Sequence, residues 1–291
     1  MRKGIILAGG KGTRLYPLTA GISKQLLPVY DKPMIFYSLS VLMLAGIKDI
    51  LLISTSADIP SYKRLLGDGE RFGINLSYQI QEYPHGIPQA FTISESFIGN
   101  DSVCMILGDN FFYGQSFQDK LRSISERKDE ATVLIYNVAN PEHYGVLEFN
   151  SSDEILSIEE KPVSPKSSFA ITGLYFFDNS VIDYSKSLEK SLRGEFEITD
   201  LIKKYLVEKK LKFEILGRGF AWLDTGTHDR LIQASSFVQA IEHMQGQKIA
   251  CIEEIALNNQ WITKQKLKNF ISSYGDCEYK EYLQKLANIK I

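Results

Sequence analysis

Apolar residues come in short blocks along the chain. The first, Gly4-Ile5-Ile6-Leu7-Ala8, carries no charge and stops at a cluster of glycines. A run this short and this apolar reads as a strand buried on both faces, as in parallel sheets. Similar blocks at Ile50–Ile53, Leu76–Ile80, Val103–Leu107 and Thr132–Tyr136 predict further strands. Between them the spacing is helical. Pro33–Ala45 reads as a buried helix, with Pro33 in its first turn and Gly46 at its stop. Helices are also predicted near 88–97 and 116–127. Strand and helix alternating in this way predict an α/β fold, a mostly parallel sheet flanked by helices. Beyond about residue 140 short strands dominate, at Val146–Phe149, Ile155–Glu160 and Ala170–Phe177, with helices near 180–190 and 200–209. A strand around Phe220–Leu223 ends in Asp224, and Thr227 suits the cap of a helix running to about residue 244. The last fifty residues read as helical and more polar.

Composition narrows the class. The 291 residues suffice for one large domain or two small ones, and 44 % hydrophobic with 23 % charged residues is the balance of an ordinary globule. A net charge of -2 leaves no basic footprint for nucleic acid and no polybasic membrane patch. Cys104, Cys251 and Cys277 show neither metal nor disulfide spacing. The chain runs almost directly into its first strand and has no apolar stretch long enough to span a bilayer, so a cytoplasmic protein is expected.

The glycine cluster is the first candidate for chemistry. In Gly9-Gly10-Lys11-Gly12-Thr13-Arg14 three glycines follow a strand end, and Lys11 and Arg14 add positive charge. Successive backbone N–H groups in such a turn make an anion cradle. A P-loop would need Ser or Thr after Gly10-Lys11, and a dinucleotide fingerprint would need glycine at Leu15, so neither familiar phosphate loop fits. A tight turn with a surface arginine remains the plain alternative. Asp109 and Asp224 also lie just past predicted strand ends, where open α/β sheets bind ligands. Two carboxylates plus phosphate oxygens and water suit magnesium; read from spacing alone, both could equally be turn aspartates. Lys24 could reach a phosphate, or could be a surface lysine. Glu160 beside Lys161 could serve sugar hydroxyls and a phosphate, or close a solvated strand. The four histidines lack metal spacing and no Gly-x-Ser-x-Gly elbow exists, as suits a reaction needing no protein nucleophile.

In order and spacing these motifs resemble the glucose-1-phosphate thymidylyltransferase family of sugar nucleotidyltransferases, from residue 3 to about 260. The resemblance rests on Gly9 to Leu15, Ser23-Lys24-Gln25-Leu26-Leu27-Pro28, Tyr30 to Met34, Leu107-Gly108-Asp109-Asn110, Tyr144-Gly145-Val146, Glu159-Glu160-Lys161-Pro162, Thr172 to Tyr175, Arg193-Gly194-Glu195, Glu197 to Asp200, and Gly217 to Gly226. It implies a Rossmann-like nucleotidyltransferase sheet: a catalytic unit over 1–240, its nucleotide-binding half reaching about 140 and its sugar-binding half 141–240, then a helical packing or assembly segment over 241–291. It implies that Leu7, Ala8, Gly9, Gly10, Gly12, Thr13, Arg14, Gln25 and Asp109 hold dTTP, with Gln81, Pro84 and Gly86 at the base. Asp109 and Asp224 would hold Mg2+. Asn110, Tyr144, Gly145, Glu160, Lys161, Ile171, Thr172, Tyr175 and Arg193 would take glucose 1-phosphate, and Arg14, Lys24, Lys161, Asp109 and Asp224 would serve catalysis. The products implied are dTDP-glucose and pyrophosphate, the first step toward dTDP-rhamnose and related deoxysugars. A homotetramer and, in many members, a second nucleotide-sugar site for feedback control are implied as well.

The sequence departs from the family at Gln81-Glu82-Tyr83-Pro84-His85-Gly86-Ile87-Pro88, where His85 stands for an aspartate and Pro88 enters a helix start. Lys11 stands for a common serine. A sibling using UTP or another hexose phosphate, and a catalytically silent nucleotide-sugar sensor, are the competing readings. A hydride-transferring Rossmann enzyme fits poorly, because the glycine spacing fails.

Overall fold

The computed structural model describes residues 1–10 and 12–288. Lys11, which the sequence places on the cradle's rim, lies outside them. The main sheet has nine strands: β1 (Arg2–Leu7), β2 (Asp49–Ser54), β3 (Asn75–Ile80), β4 (Ser102–Leu107), β5 (Ala131–Asn137), β6 (Gly145–Phe149), β7 (Ile155–Glu160), β8 (Phe169–Phe177) and β9 (Leu211–Leu216). Its path runs β7-β6-β8-β4-β1-β2-β3, and β5 joins at β8 carrying β9 on its other edge. β4, β1, β2 and β3 are parallel, whereas β8 runs antiparallel to β4, β5 and β6. The sheet is therefore mixed, with helices on its faces.

Register sets the position of the site. Leu7 is level with both Ile53 and Leu107, so three parallel strands end together. Ala8–Gly10, Ser54 and Gly108–Asp109 emerge along that one edge. The Ala8 N–H donates to the Ile53 carbonyl at 2.8 Å, and the Gly108 N–H to the Leu7 carbonyl at 2.9 Å, which ties the three exits to one another.

Alternation along the strands divides the core in two. Ile6, Leu52, Cys104 and Ile106 face one side of the sheet, with Leu39 and Leu42 of the helix Ile35–Leu44. Ile5, Leu51, Ile53, Val103 and Met105 face the other, with Phe91, Phe177 and Leu201. Ile35 through Met43 are all buried, because the chain's last helices, Ile252–Asn258, Lys264–Ile271 and Glu278–Asn288, join the core that covers this helix. The helix predicted at 88–97 is two short pieces, Gln89–Ile93 and Glu95–Ile98, broken at Ser94. Phe91 in the first piece is fully buried and meets Phe177 edge-on, ring centroids 5.4 Å apart. Phe91→Ala should cost about 3–5 kcal/mol of stability in chemical denaturation, because the sheet behind it cannot collapse into the void.

A second, smaller sheet matters more for function. Asn110–Tyr113 pairs antiparallel with Ala221–Asp224, placing Asp224 opposite Asn110. The Thr225 N–H and hydroxyl then donate to the Asp109 carbonyl at 3.1 and 2.9 Å. Two aspartates more than a hundred residues apart are drawn to one end of this ribbon.

Candidate active site

The glycine loop follows β1 and turns through residues that only glycine adopts freely, Gly10 at φ +104° and Gly12 at φ +57°. A Cβ on Gly9 would stand 2.8 Å from Oε1 of Gln81, so the Gln81 amide would have to shift to admit one. Thr13 and Arg14 are exposed on the short helical turn Thr13–Leu15. Gln25 is buried beneath the loop, its Oε1 accepting from Ser23 and from Tyr62 at 3.1 and 3.3 Å. Gln81, also buried, donates through Nε2 to Gln89 at 2.8 Å, and Gln89 accepts the His85 N–H at 3.0 Å. Pro84 is exposed, and Gly86 pairs in parallel with Phe196. Leu7, Ala8, Gly9, Gln25, Gln81 and Gly108 thus form one contiguous wall.

That wall adjoins a cavity of about 620 Å³. Leu107, Asp109, Asn110, Tyr144, Gly145, Glu160, Lys161, Ile171, Gly173, Tyr175 and Asp224 line it, with Arg14 at the junction. Its scale matches a small-molecule site. The floor is built from alternate residues of β8: Ile171, Gly173 and Tyr175 face in, with Gly173 allowing Asn110 to lie across the strand. Thr172 between them is fully buried and outside the lining, its hydroxyl without a partner. Asn110 accepts from the Gly173 N–H at 3.1 Å and from Trp222 Nε1 at 2.7 Å, while its own amide donates to Asp109 Oδ1 at 3.0 Å.

Charge is arranged in pairs. The Lys24 ammonium, 8 % exposed, donates to Asp109 Oδ2 at 2.5 Å. Asp224 accepts the Gly226 N–H on Oδ1 at 3.0 Å, and on Oδ2 the Tyr144 hydroxyl at 3.2 Å together with Arg230. Burial would push the Asp224 carboxyl up, but Arg230 and the Gly226 N–H, with Lys24 nearby, hold it below the usual carboxylate range. Glu160 shows the reverse balance: burial raises it, against Lys161 at 3.8 Å, the Thr199 hydroxyl at 3.1 Å and Arg193 at 3.5 Å. Lys161 and Arg193 are both exposed at the rim, and the Lys161 backbone, at φ +43°, donates to the Tyr144 carbonyl at 3.0 Å. Burial likewise raises the Tyr175 phenol, so it stays a neutral donor in the floor.

The donor set suits a hard divalent cation. Asp109 and Asp224 supply carboxylate oxygens in the same cleft, and among the described residues no three His, Cys, Asp or Glu side chains gather to hold a metal alone. A cation there would complete its shell with a substrate's phosphate oxygens and water, as magnesium commonly does.

Comparison with known proteins then decides the family. The nucleotidyl transferase family matches residues 3–241. The glucose-1-phosphate thymidylyltransferase of Neisseria meningitidis serogroup A is 57 % identical, covering 98 % of this chain and 99 % of its own. The chain belongs to the glucose-1-phosphate thymidylyltransferase family of nucleotidyl transferases. The enzyme of that name from Mycobacterium tuberculosis H37Rv is 51 % identical over 98 % of both chains. A crystal structure described as a Bacillus anthracis glucose-1-phosphate thymidylyltransferase in complex with sucrose superposes with a TM-score of 0.76 at 40 % identity, over 81 % of this chain and 95 % of that one. A UDP-glucose pyrophosphorylase complexed with UDP-glucose shares the fold, with a TM-score of 0.71 at 24 % identity. The names of these relatives imply a nucleotide and a sugar phosphate as substrates. No helix among the described residues is long and apolar enough to cross a membrane.

Several lining residues carry no sequence signal of their own. Trp222, Thr199 and Arg230 all face the cavity. Thr199 lies within the Glu197-Ile198-Thr199-Asp200 motif, and Trp222 within Gly217 to Gly226, so a motif flags the segment without singling out the side chain. Arg230 is outside every motif. Its place in the first turn after the Thr227 cap, six residues past Asp224, is the one clue.

Proposed function

We propose that this chain transfers the thymidylyl group of dTTP to α-D-glucose 1-phosphate, giving dTDP-glucose and pyrophosphate. One observation carries the reading: Asp109 and Asp224, each paired with a cation, sit where the glycine-loop wall meets the 620 Å³ cavity. In this reading Leu7 to Gly10, Gly12, Thr13, Arg14 and Gln25 hold the triphosphate, and Gln81, Pro84 and Gly86 flank the base. The glucose ring lies over Ile171 and Tyr175, with Gly145 and Glu160 beside its hydroxyls and Lys161 and Arg193 at its phosphate. Thr172 supports the floor from behind. The sugar phosphate is already an anionic nucleophile at neutral pH. Its oxygen attacks the α-phosphorus in line and pyrophosphate leaves, so the protein needs no general base. Arg14 and Lys24 stabilise the charge that develops on the transferring and leaving phosphates. Asp109 and Asp224 would hold magnesium, which when bound would supply neutralisation and polarisation of the α-phosphate. We also take residues 1–240 as the catalytic unit and 241–291 as a packing segment of a homotetramer, a state that light scattering reads.

The test is pyrophosphate release with each of dTTP, UTP, ATP and CTP plus glucose 1-phosphate and magnesium. dTTP is expected to give the highest kcat/KM. The base of UTP lacks one methyl, a contact worth about 1–3 kcal/mol, so UTP should follow within two or three orders of magnitude. Equal or better turnover of UTP would reassign the base; binding of dTTP with no pyrophosphate release would leave a sensor.

A further inference from the structure

The two carboxylates of the cleft are neutralised in different ways. Lys24 on Asp109 is enclosed, with 8 % of its side chain exposed. Arg230 on Asp224 is 32 % exposed, lines the cavity and lies over the Tyr144 ring at 5.8 Å. Asp224 Oδ1 is taken by the Gly226 N–H, so Arg230 and the Tyr144 hydroxyl occupy Oδ2, the oxygen facing them. Arg230 also stands in the first turn of the helix His228–Gln245, whose positive end disfavours a cation. Asp224 offsets that cost, together with Asp229 in the same turn.

From this arrangement, and resting on the reading of Asp224 as a metal ligand, we propose that Arg230 is a positioning residue that holds the Asp224 carboxylate until a divalent cation displaces it. Guanidinium and cation claim one carboxylate and repel each other. Once displaced, Arg230 has lost its ion-pair partner, and only Asp229 of the same turn remains to offset the helix end. It is free to swing within the cavity toward the phosphates that Arg14 and Lys161 also face. Substrate anions thereby favour the exchange, and metal without nucleotide is opposed by it.

The test is manganese binding to the whole protein without nucleotide, followed by electron paramagnetic resonance and water-proton relaxation, in wild type, Arg230→Met, Arg230→Gln and Asp224→Asn. Circular dichroism first checks that each is folded. Both Arg230 variants should bind Mn2+ about fivefold more tightly, the scale set by a partly exposed ion pair. Their Tm should be lower than wild type without metal, and should rise further when Mn2+ saturates. Asp224→Asn should weaken binding, and should cancel the difference when combined with Arg230→Met. A merely structural arginine would lower Tm without raising metal affinity. Unchanged or weaker Mn2+ binding in both Arg230 variants, with Asp224→Asn still weakening it, overturns the Arg230 inference alone. Indifference of binding to Asp224→Asn overturns the metal reading and this inference with it.

Discussion

Asp109→Asn should lower kcat by about two to three orders of magnitude and leave a folded protein that still binds glucose 1-phosphate. The substitution is nearly isosteric, so the Asn110 and Thr225 contacts that fix this turn can persist; Thr225 uses the backbone carbonyl, which is untouched. What disappears is one negative charge at the meeting of the glycine wall and the cavity. Lys24 is left buried against a neutral amide, a loss of about 1–3 kcal/mol in stability, which a Tm shift measures separately from turnover. Lys24→Ala removes the other half of the pair and should be comparably slow. Because the two residues act as a unit, the double variant should be little worse than either single one. Asp224→Asn belongs to the same set and should also lose most of kcat. Near-normal turnover in any of these folded variants would take that residue out of the mechanism.

The pairing of Asp109 with Asp224 shows how far a linear pattern of residues reaches. Each is visible by itself, as an aspartate just past an apolar run. Their convergence is not, because it depends on Asn110–Tyr113 pairing with Ala221–Asp224, a contact between segments more than a hundred residues apart. Asn110-Phe111-Phe112-Tyr113 follows directly on β4 and has no period of its own, so local pattern gives no hint of a separate ribbon. β9 is absent from the predicted strands although its apolar and polar residues alternate as in a half-buried strand. What alternation cannot supply is its pairing. Leu211-Lys212-Phe213-Glu214-Ile215-Leu216 is an alternating edge strand whose partner, β5, lies about eighty residues earlier. By contrast β1, β2 and β4, apolar on both faces, are legible from composition alone, and so is the buried helix behind them. Register places the strand ends level, and no reading of single blocks supplies register. The site is thus legible as a set of residue types, and the distances within it are not.

Gly86→Ala should raise KM for both dTTP and glucose 1-phosphate by about tenfold or more, the price of displacing two walls together. Gly86 lies at φ +114°, where a side chain is strained. A Cβ there would fall 2.1 Å from the Phe196 carbonyl oxygen and 2.8 Å from its nitrogen. These are backbone atoms, so no rotamer change relieves the clash. The two segments must part, and the His85 carbonyl, which accepts the Phe196 N–H at 2.8 Å, parts with them. On one side of this junction, His85 and Gln89 position Gln81 against Gly9. On the other, Phe196 leads through Glu197 into Ile198 and Thr199, which line the cavity, and the Thr199 hydroxyl holds Glu160. One methyl group therefore disturbs the proposed base pocket and the proposed sugar pocket at once, whereas a substitution inside either pocket should move one KM alone. Gly217→Ala is the control: Gly217 has open space around its Cβ position and ordinary φ, so its kinetics should stay near wild type. Steady-state assays with each substrate varied in turn read the outcome. A Gly86→Ala enzyme with one KM raised and the other unchanged would mean that the two pockets are held independently.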